Sequence, residues 1–345
     1  MSDLVTADPL RVENWDSLVS QHPGATIFHS ARWARVLSES YGYRPRYFAT
    51  ITSGGLETLV PCMEIASFLT GRRGVSLPFT DSCPPLLSGP ETFPDLLPAI
   101  TAFGRSAGWR TFEARDVDLG PADGIPATAY LDHDLDLTPG PDGLKAGLRS
   151  STARNIKKAA KSGVQIREEN TMAGMREFCR LNSMTRREHG LPPQPFRFFT
   201  RLFDHVIAGG WGRVLLAVKD GRTAAGAVFL HFNGRSIYKY GASDRAFQTL
   251  RANNLVMWDA IRRYAEEGFA SFSFGRTEPD NEGLRQFKGG WGASEREIRY
   301  VKYAMKEDGF VKDSLKTTGW HNRVFSRMPI PALNAVGTVL YRHMG

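Results

Sequence analysis

The chain has 345 residues, 41% hydrophobic and 23% charged, with a formal charge of +8; this ordinary globular balance excludes a disordered tail protein or a collagen-like repeat. At about 150 residues per domain the length suggests two domains, each large enough for its own core. The charge is unevenly divided. Residues 1–140 hold 10 Arg, no Lys and 17 acids, a net of −7, while residues 141–345 carry +15, which directs the C-terminal part towards a polyanion: nucleic acid, a phosphate-bearing substrate or an anionic membrane.

The opening MSDLVTADPLRVENWD has acids and no basic region ahead of an apolar stretch, so it does not read as a signal peptide. No run reaches the ~18 apolar residues of a membrane span. Cys62, Cys83 and Cys179 are far apart and form no CxxC or Cys/His cluster, which argues against a disulfide framework and a zinc site and for a reducing cytoplasm. The first elements are a helix around Trp15 and a second in FHSARWARVLSESYGYRP, where Trp33, Val36, Leu37 and Tyr41 fall at helical spacing. Strands follow at RYFATIT and LETLVPCMEIA with a turn at Gly54-Gly55. After a Gly/Pro-rich stretch, GRRGVSLPFTDSCPPLLSGP, come a helix at about 91–107 and a strand at WRTFEAR.

LDHDLDLTPGPDG reads as a last strand running into a linker, which sets a domain boundary near 138. Beyond it the pattern restarts with a helix at about 143–161, a strand at VQIREE, helices at 171–189 and 196–209, and strands at WGRVLLAVKD and TAAGAVFLHF. NGR turns the chain into SIYKYGAS; a helix, ANNLVMWDAIRRYAEEG, and a strand, FASFSFGR, complete the series. Both halves share an order of helix, strand meander, helix and strand, as a duplicated fold would.

The basic stretch LKAGLRSSTARNIKKAAKSG holds six bases and no acid between Lys145 and Lys161. At ~100° per residue Leu144, Leu148 and Ala159 gather on one side, and Arg154, Lys157, Lys158 and Lys161 on the other. A helix built only for solubility usually mixes signs, so this face reads as a phosphate contact; the alternative is a solvated charged face. The second candidate is the hairpin ending in SIYKYGAS, whose alternation places Tyr238, Tyr240 and Ala242 on one face. The following strand-to-helix passage is where acyltransferases of the GNAT type hold their acyl donor. A coenzyme A site there carries a Gly-rich pyrophosphate loop, Arg/Gln-x-x-Gly-x-Gly/Ala. This chain has DRAFQTLRANN without a glycine, which disfavours coenzyme A.

RNIKKAAKSGV, IYKYGAS, LRANNLVMWDAIRRYAEEGFASFSFGR and NEGLRQFKGGWG, in that order and spacing, resemble the FemAB family of aminoacyl-tRNA-dependent peptidyl transferases. The resemblance is closest to the FemAB-related proteins of exopolysaccharide and exosortase systems. It covers residues 140–305 well and the N-terminal part, through FHSARWARVL and SLPFTD, more loosely. It implies an α+β fold of two tandem GNAT-like (acyl-CoA N-acyltransferase) domains packed around a cleft, here 1–138 and 139–310, followed by a basic tail, 311–345. It further implies amide-bond formation without a metal or cofactor, with charged tRNA as co-substrate and a phosphate-bearing or lipid-linked precursor as acceptor. The family's FKxxFG motif reads FKGGWG here, with Trp291 as the aromatic, and the resemblance gives Lys288 the role of stabilising the tetrahedral oxyanion, next to Phe287. The coiled-coil arm of some members has no counterpart between Ala160 and Gly190.

A cation placed where an amine attacking an ester builds charge on oxygen contributes ~3 kcal/mol or more. Lys288 is set between Phe287 and two glycines, the alternative being an exposed loop lysine. Arg276 and Arg285 suit bidentate phosphate binding, although Arg276 has Glu278 and Glu282 as competing partners. Tyr238 and Tyr240 read as walls of the site. Asp81, in LPFTDSCPP, loosely matches an aspartate-bearing loop of the first domain and is the candidate general base, or else a turn residue accepting backbone N–H bonds. Arg35, with Arg32, reaches for phosphate from the first domain. His189 has no Ser or Cys partner in sequence and no triad is expected. The tail spaces Leu333, Val336, Val339 and Leu340 on one side of a short helix, to dock on the protein or to lie on an anionic membrane.

The expected function is therefore a cytoplasmic aminoacyl or acyl transferase, working at the inner face of the cell membrane if the tail binds lipid. The competing readings are an acyl-CoA-dependent N-acyltransferase on an amino sugar or metabolite, and a non-enzymatic RNA-binding protein using the 145–161 helix.

Overall fold

Pro61 has no N–H to give a ladder, and the run LETLVPCMEIA, expected as one strand, breaks there into two strands that enter different sheets. The computed structural model describes residues 4–89, 91–120, 127–312 and 320–345; residues 313–319 of the expected tail lie outside the described residues. Two compact units are formed. Unit 1 is Met1–Leu131 with Glu297–Leu315 and Leu340–Gly345, and unit 2 is Asp132–Arg296 with Lys316–Val339. The expected ranges 1–138, 139–310 and 311–345 therefore differ from the compact units, because the chain returns to unit 1 to pair residues 300–304 with 111–115, a pairing invisible in linear order.

Unit 1 runs β1 (Val5–Ala7), α1 (Trp15–Ser20), α2 (Ala31–Tyr41), β2 (Arg44–Pro45), β3 (Tyr47–Thr52), β4 (Gly55–Val60), β5 (Met63–Ser67), β6 (Gly71–Ser76), β7 (Leu86–Leu87), α3 (Phe93–Ser106), β8 (Thr111–Arg115) and β9 (Ala127–Asp136), the last residues of which belong to unit 2. β1, β3, β4 and β7 form one antiparallel sheet. In the second sheet β5 and β6 are antiparallel, and β6 is parallel to β8 across the crossover helix α3. The polar sequence of β6, GRRGVS, does not read as a strand. It becomes one because β5 and β8 offer hydrogen-bonding edges on both sides. Phe48, Phe93, Ile100, Trp109, Phe112 and Val301 make the core, in which Trp109 Nε1 donates to the buried Glu64 at 2.9 Å.

Unit 2 continues with α4 (Gly140–Ala146), α5 (Ser150–Lys161), β10 (Gln165–Glu168), α6 (Met172–Glu188), α7 (Phe196–Leu202), β11 (Gly212–Lys219), β12 (Arg222–Phe232), β13 (Arg235–Ser243), α8 (Ala252–Glu266), β14 (Ser271–Ser273), α9 (Glu282–Gly289) and β15 (Ser294–Ala304), which passes back into unit 1. β16 (Gly309–Val311), α10 (Trp320–Arg327) and α11 (Ile330–Met344) close the chain. The helix expected over 143–161 is two helices. Gly147 caps the first, and Arg149 N turns away to donate to Gly290 O at 3.0 Å before α5 begins.

β10 to β13 are an antiparallel meander, and the crossover helix α8 brings β14 in parallel to β13. Leu215, Ala217, Ala225, Ala227 and Phe229 face α8, which carries α5 on its outer side. The intervening residues face α6, where Gly226 meets Phe178. One tie from sheet to α8 is Arg213, whose guanidinium lies 4.4 Å from the Tyr264 ring and donates to Glu267 at 2.9 and 2.6 Å. Arg213→Met removes both contacts and is expected to cost about 2 kcal/mol. Thermal unfolding checks this, and an unchanged midpoint would rule the tie out.

The tail docks on the protein. Leu333 of α11 is fully buried, and a Cβ at Gly337 would lie 2.1 Å from Pro193 O, so the helix approaches that backbone only with glycine there. Tyr43 Oη donates to Tyr341 O at 2.9 Å in unit 1. Val339, expected beside Leu333, faces solvent. No described helix is long and apolar enough to cross a membrane.

Candidate active site

β13 and β14 are parallel partners for three residue pairs only, Arg235 to Ile237 against Ser271 to Ser273. β13 then runs on to Ser243, while the chain after Ser273 leaves it. Parting parallel strands leave backbone groups that need other partners. Lys288, on α9, supplies them: its Nζ donates to Gly275 O at 2.6 Å and Arg276 O at 3.0 Å. The side chain is 3% exposed, which corrects both expectations, an open setting between glycines and a loop lysine. α9 is a capped helix, with Asn281 Oδ1 accepting from Leu284 N at 3.1 Å, and it aims the ammonium inwards. The outcome is a fixed, desolvated cation at the point where the strands diverge.

A 240 Å³ cavity, which the preceding residue Phe287 of α9 lines and Lys288 does not, is bounded further by Gly226 and Ala227 of β12, Tyr238 of β13, and Asn253, Val256 and Met257 of α8. Burial pushes the Tyr238 phenol up to about 12, so at neutral pH it is a protonated wall and not a base. The two tyrosines do not share a face. A bulge between Val228 and Phe229 pairs them with Tyr240 and Tyr238 and leaves Lys239 over. Tyr238 consequently packs on Phe229 and over Gly241, whereas Tyr240 turns to Phe198 and Phe199 of α7. Only Tyr238 reaches the cavity, and the simple alternation of two failed because a bulge is not written in residue type.

The passage from β13 to α8 is filled by a short helical turn, Arg245–Leu250, with Asp244 Oδ1 accepting the Ala246 N–H at 2.9 Å. A carboxylate of the chain itself thus occupies the Ala246 N–H at the start of this turn. Sequence reading passed over Asp244 and Asn253; the chain segment was singled out for its missing glycine, and the aspartate at its start was the available signal.

α5 is held against α9 by the Arg149 bonds to Gly290 O and, at 3.5 Å, to Gln286 O. Its buried side carries Thr152 and Ala159; Arg154, Lys157, Lys158 and Lys161 are exposed. None of these four pairs with a carboxylate among the described residues. On neighbouring α8 the cations are matched: Arg262 meets Asp259 and Glu266, and Arg263 meets Asp259 and Glu168. The contrast leaves α5 with a cationic face that no carboxylate among the described residues neutralises.

Arg285 is committed elsewhere. It donates to Glu295 at 3.2 and 2.9 Å and to Pro279 O at 3.2 Å, and Glu295 also meets His133 Nε2 at 3.1 Å. Arg285 and His133 hold the Glu295 carboxyl below its usual range. A carboxylate ten residues away corrects the phosphate-binding expectation for Arg285. Arg276 is half-buried, with its carbonyl on Lys288. Asp81 lies in unit 1, where Tyr300 Oη donates to its carbonyl and Arg115 holds the loop through Leu77 O and Thr80 O at 2.8 and 3.0 Å. Arg35 is exposed on α2, and Arg32 lies 3.5 Å from Asp16.

Residues 146–289 match the model of the acetyltransferase (GNAT) domain. The chain carries an acyltransferase domain of the GNAT type. All of the cavity, α5 and Lys288 fall inside it, and the RNA-binding reading without an enzyme is thereby set aside. Among solved structures the chain is similar to FemX, at 15% identity over 83% of this chain and 95% of that one, with a TM-score of 0.68. It is also similar to the C-terminal domain of a protein assigned as a lysylphosphatidylglycerol synthetase from Agrobacterium fabrum, at 15% identity, 78% and 86% coverage and a TM-score of 0.53. A third likeness is to a tandem GNAT protein from the clavulanic acid biosynthesis pathway, at 12% identity, 88% and 99% coverage and a TM-score of 0.50. These likenesses establish a tandem GNAT fold of the FemX kind. No curated protein sequence matches the chain significantly.

Proposed function

We propose that this acyltransferase moves an aminoacyl group from charged tRNA to an amine of a cell-envelope or polysaccharide precursor, forming an amide bond. The observation that carries the reading is the unpaired cationic face of α5, anchored to the helix that holds Phe287 and Lys288. A tRNA acceptor end is a polyphosphate that such a face attracts, and the adjoining 240 Å³ cavity has room for a small aminoacyl group. The lysylphosphatidylglycerol synthetase assignment of the Agrobacterium fabrum protein, which names an aminoacylated product, supports an aminoacyl donor.

In this mechanism the amine attacks the ester carbonyl, negative charge builds on its oxygen, and the ammonium of Lys288 faces that charge in a site where water does not screen it. The intermediate then collapses as the ester C–O bond breaks; the ribose oxygen of the tRNA departs and takes up the proton that the attacking amine gives away, and approximation of the two reactants supplies much of the rate. Arg276 is proposed to steady a donor or acceptor phosphate.

Lys157→Glu/Lys158→Glu tests the donor. Both side chains are exposed, so the melting temperature stays put, while the Kd for charged tRNA rises at least tenfold and its salt dependence weakens by about one to two in log–log slope. Unchanged tRNA affinity with transfer that depends on acyl-CoA would instead establish the second reading, an acyl-CoA N-acyltransferase. That reading is favoured by the cavity between β12, β13, α8 and α9 and opposed by Asp244 on the loop N–H.

A further inference from the structure

The hairpin joining β5 and β6 in unit 1 presents two consecutive large apolar side chains, Phe68 and Leu69, which are 85% and 58% exposed. This tip is built and not loose. Ser67 Oγ accepts the N–H groups of Leu69 and Thr70 at 3.1 and 3.2 Å and shares a hydrogen bond with His343 Nδ1 at 3.0 Å. The Phe68 ring meets the His343 imidazole edge-on at 4.7 Å, and the adjacent Met344 is 59% exposed. The fold therefore holds a Phe and a Leu in water at fixed positions, with the exposed Met344 next in chain to the histidine that the Phe68 ring touches.

Cations lie near that tip. Arg72 and Arg342 are exposed, and the guanidinium of exposed Arg110 lies over Gly71 at the base of the hairpin. Arg73 is spent on the carbonyl of His343 at 2.9 Å and that of Gly345. No carboxylate among the described residues pairs with Arg72, Arg110 or Arg342. Apolar side chains at a tip, near guanidinium groups that no described carboxylate neutralises, Arg72 giving one N–H to Ala107 O at 2.8 Å, complement the boundary of an anionic bilayer: the hydrocarbon enters the acyl region and the guanidiniums take lipid phosphates. A protein partner would need a matching acidic rim around an apolar socket, whereas a bilayer supplies both along any part of its surface.

We propose that the β5–β6 tip and the end of α11 seat the chain on an anionic lipid bilayer. The proposal concerns binding, and it stands or falls independently of which donor is used in transfer. The full chain is sedimented with vesicles of phosphatidylcholine alone and of phosphatidylcholine with phosphatidylglycerol. The expected result is binding to the anionic vesicles, weakened at least tenfold in Phe68→Ser/Leu69→Ser with no change in melting temperature, and weakened likewise in Arg72→Glu/Arg342→Glu. Failure of the unaltered chain to bind anionic vesicles overturns the proposal, as does full binding by the double serine variant. Loss of a dimer, instead of vesicle binding, in that variant would show the tip to be a contact with a second copy.

Discussion

Lys288→Met is expected to lower kcat for transfer by a hundredfold or more and also to lower the melting temperature by several degrees. Methionine keeps the length of the side chain and removes the charge, so the core loses little volume. The stability loss comes from Gly275 O and Arg276 O, which lose their donor; leaving a buried polar group unsatisfied costs about 1–3 kcal/mol. The catalytic loss comes from the missing charge opposite the oxyanion, for which a hundredfold to a thousandfold is the usual scale for one such donor. The two readouts separate the roles. If the melting temperature falls while kcat, measured well below the transition with substrate saturating, stays within about threefold of the unaltered chain, Lys288 is a structural clamp and the oxyanion is met by something else. The motif alone gives Lys288 a role in transfer and none in stability; burial of its ammonium on two carbonyls adds the second.

Gly241→Ala is expected to damage the site through a single methyl group. A Cβ at this position would lie 1.6 Å from Tyr238 Oη and 2.6 Å from Cζ. The rigid ring cannot yield by a rotamer of its tip alone, so it swings towards the 240 Å³ cavity that it walls. Overpacking of this kind costs about 1–3 kcal/mol, and the cavity is narrowed as well. The kcat/KM for the donor should fall at least tenfold, and Tyr238→Phe/Gly241→Ala should not restore it, because the ring carbon still clashes. Tyr238→Leu/Gly241→Ala, which removes the ring, should recover part of the stability. A Gly241→Ala chain with normal kcat/KM would show that this cavity is not where the donor lies.

Most elements of unit 2 were legible because each has a clean period. α6 and α8 carry apolar residues at helical spacing, and β11 and β12 are apolar runs bounded by turns. β6 was illegible, since a short polar strand between two neighbours is stabilised by their edges and not by its own side chains. The break between α4 and α5 was also hidden: Gly147 alone does not demand it, and the bond from Arg149 N to Gly290 O spans more than a hundred residues. Of the site, the cationic face of α5 and the motif lysine were visible as residue types. That Arg285 belongs to Glu295, and that Tyr240 faces away from Tyr238, was not, because ion-pair choice and bulge position depend on what the fold brings near.

By itself the sequence determined the division of charge, the mixed helix and strand order, the acyltransferase class through its motif series, and the absence of a glycine loop for pyrophosphate. These depend on local composition and spacing, which folding does not alter. Only the tertiary structure decided that Lys288 is a buried clamp at parting strands, that four cations of α5 meet no carboxylate among the described residues while Arg262 and Arg263 of α8 do, and that Phe68 and Leu69 stand in water. Burial, pairing and exposure are properties of distant neighbours, and the chain acquires those neighbours only by folding.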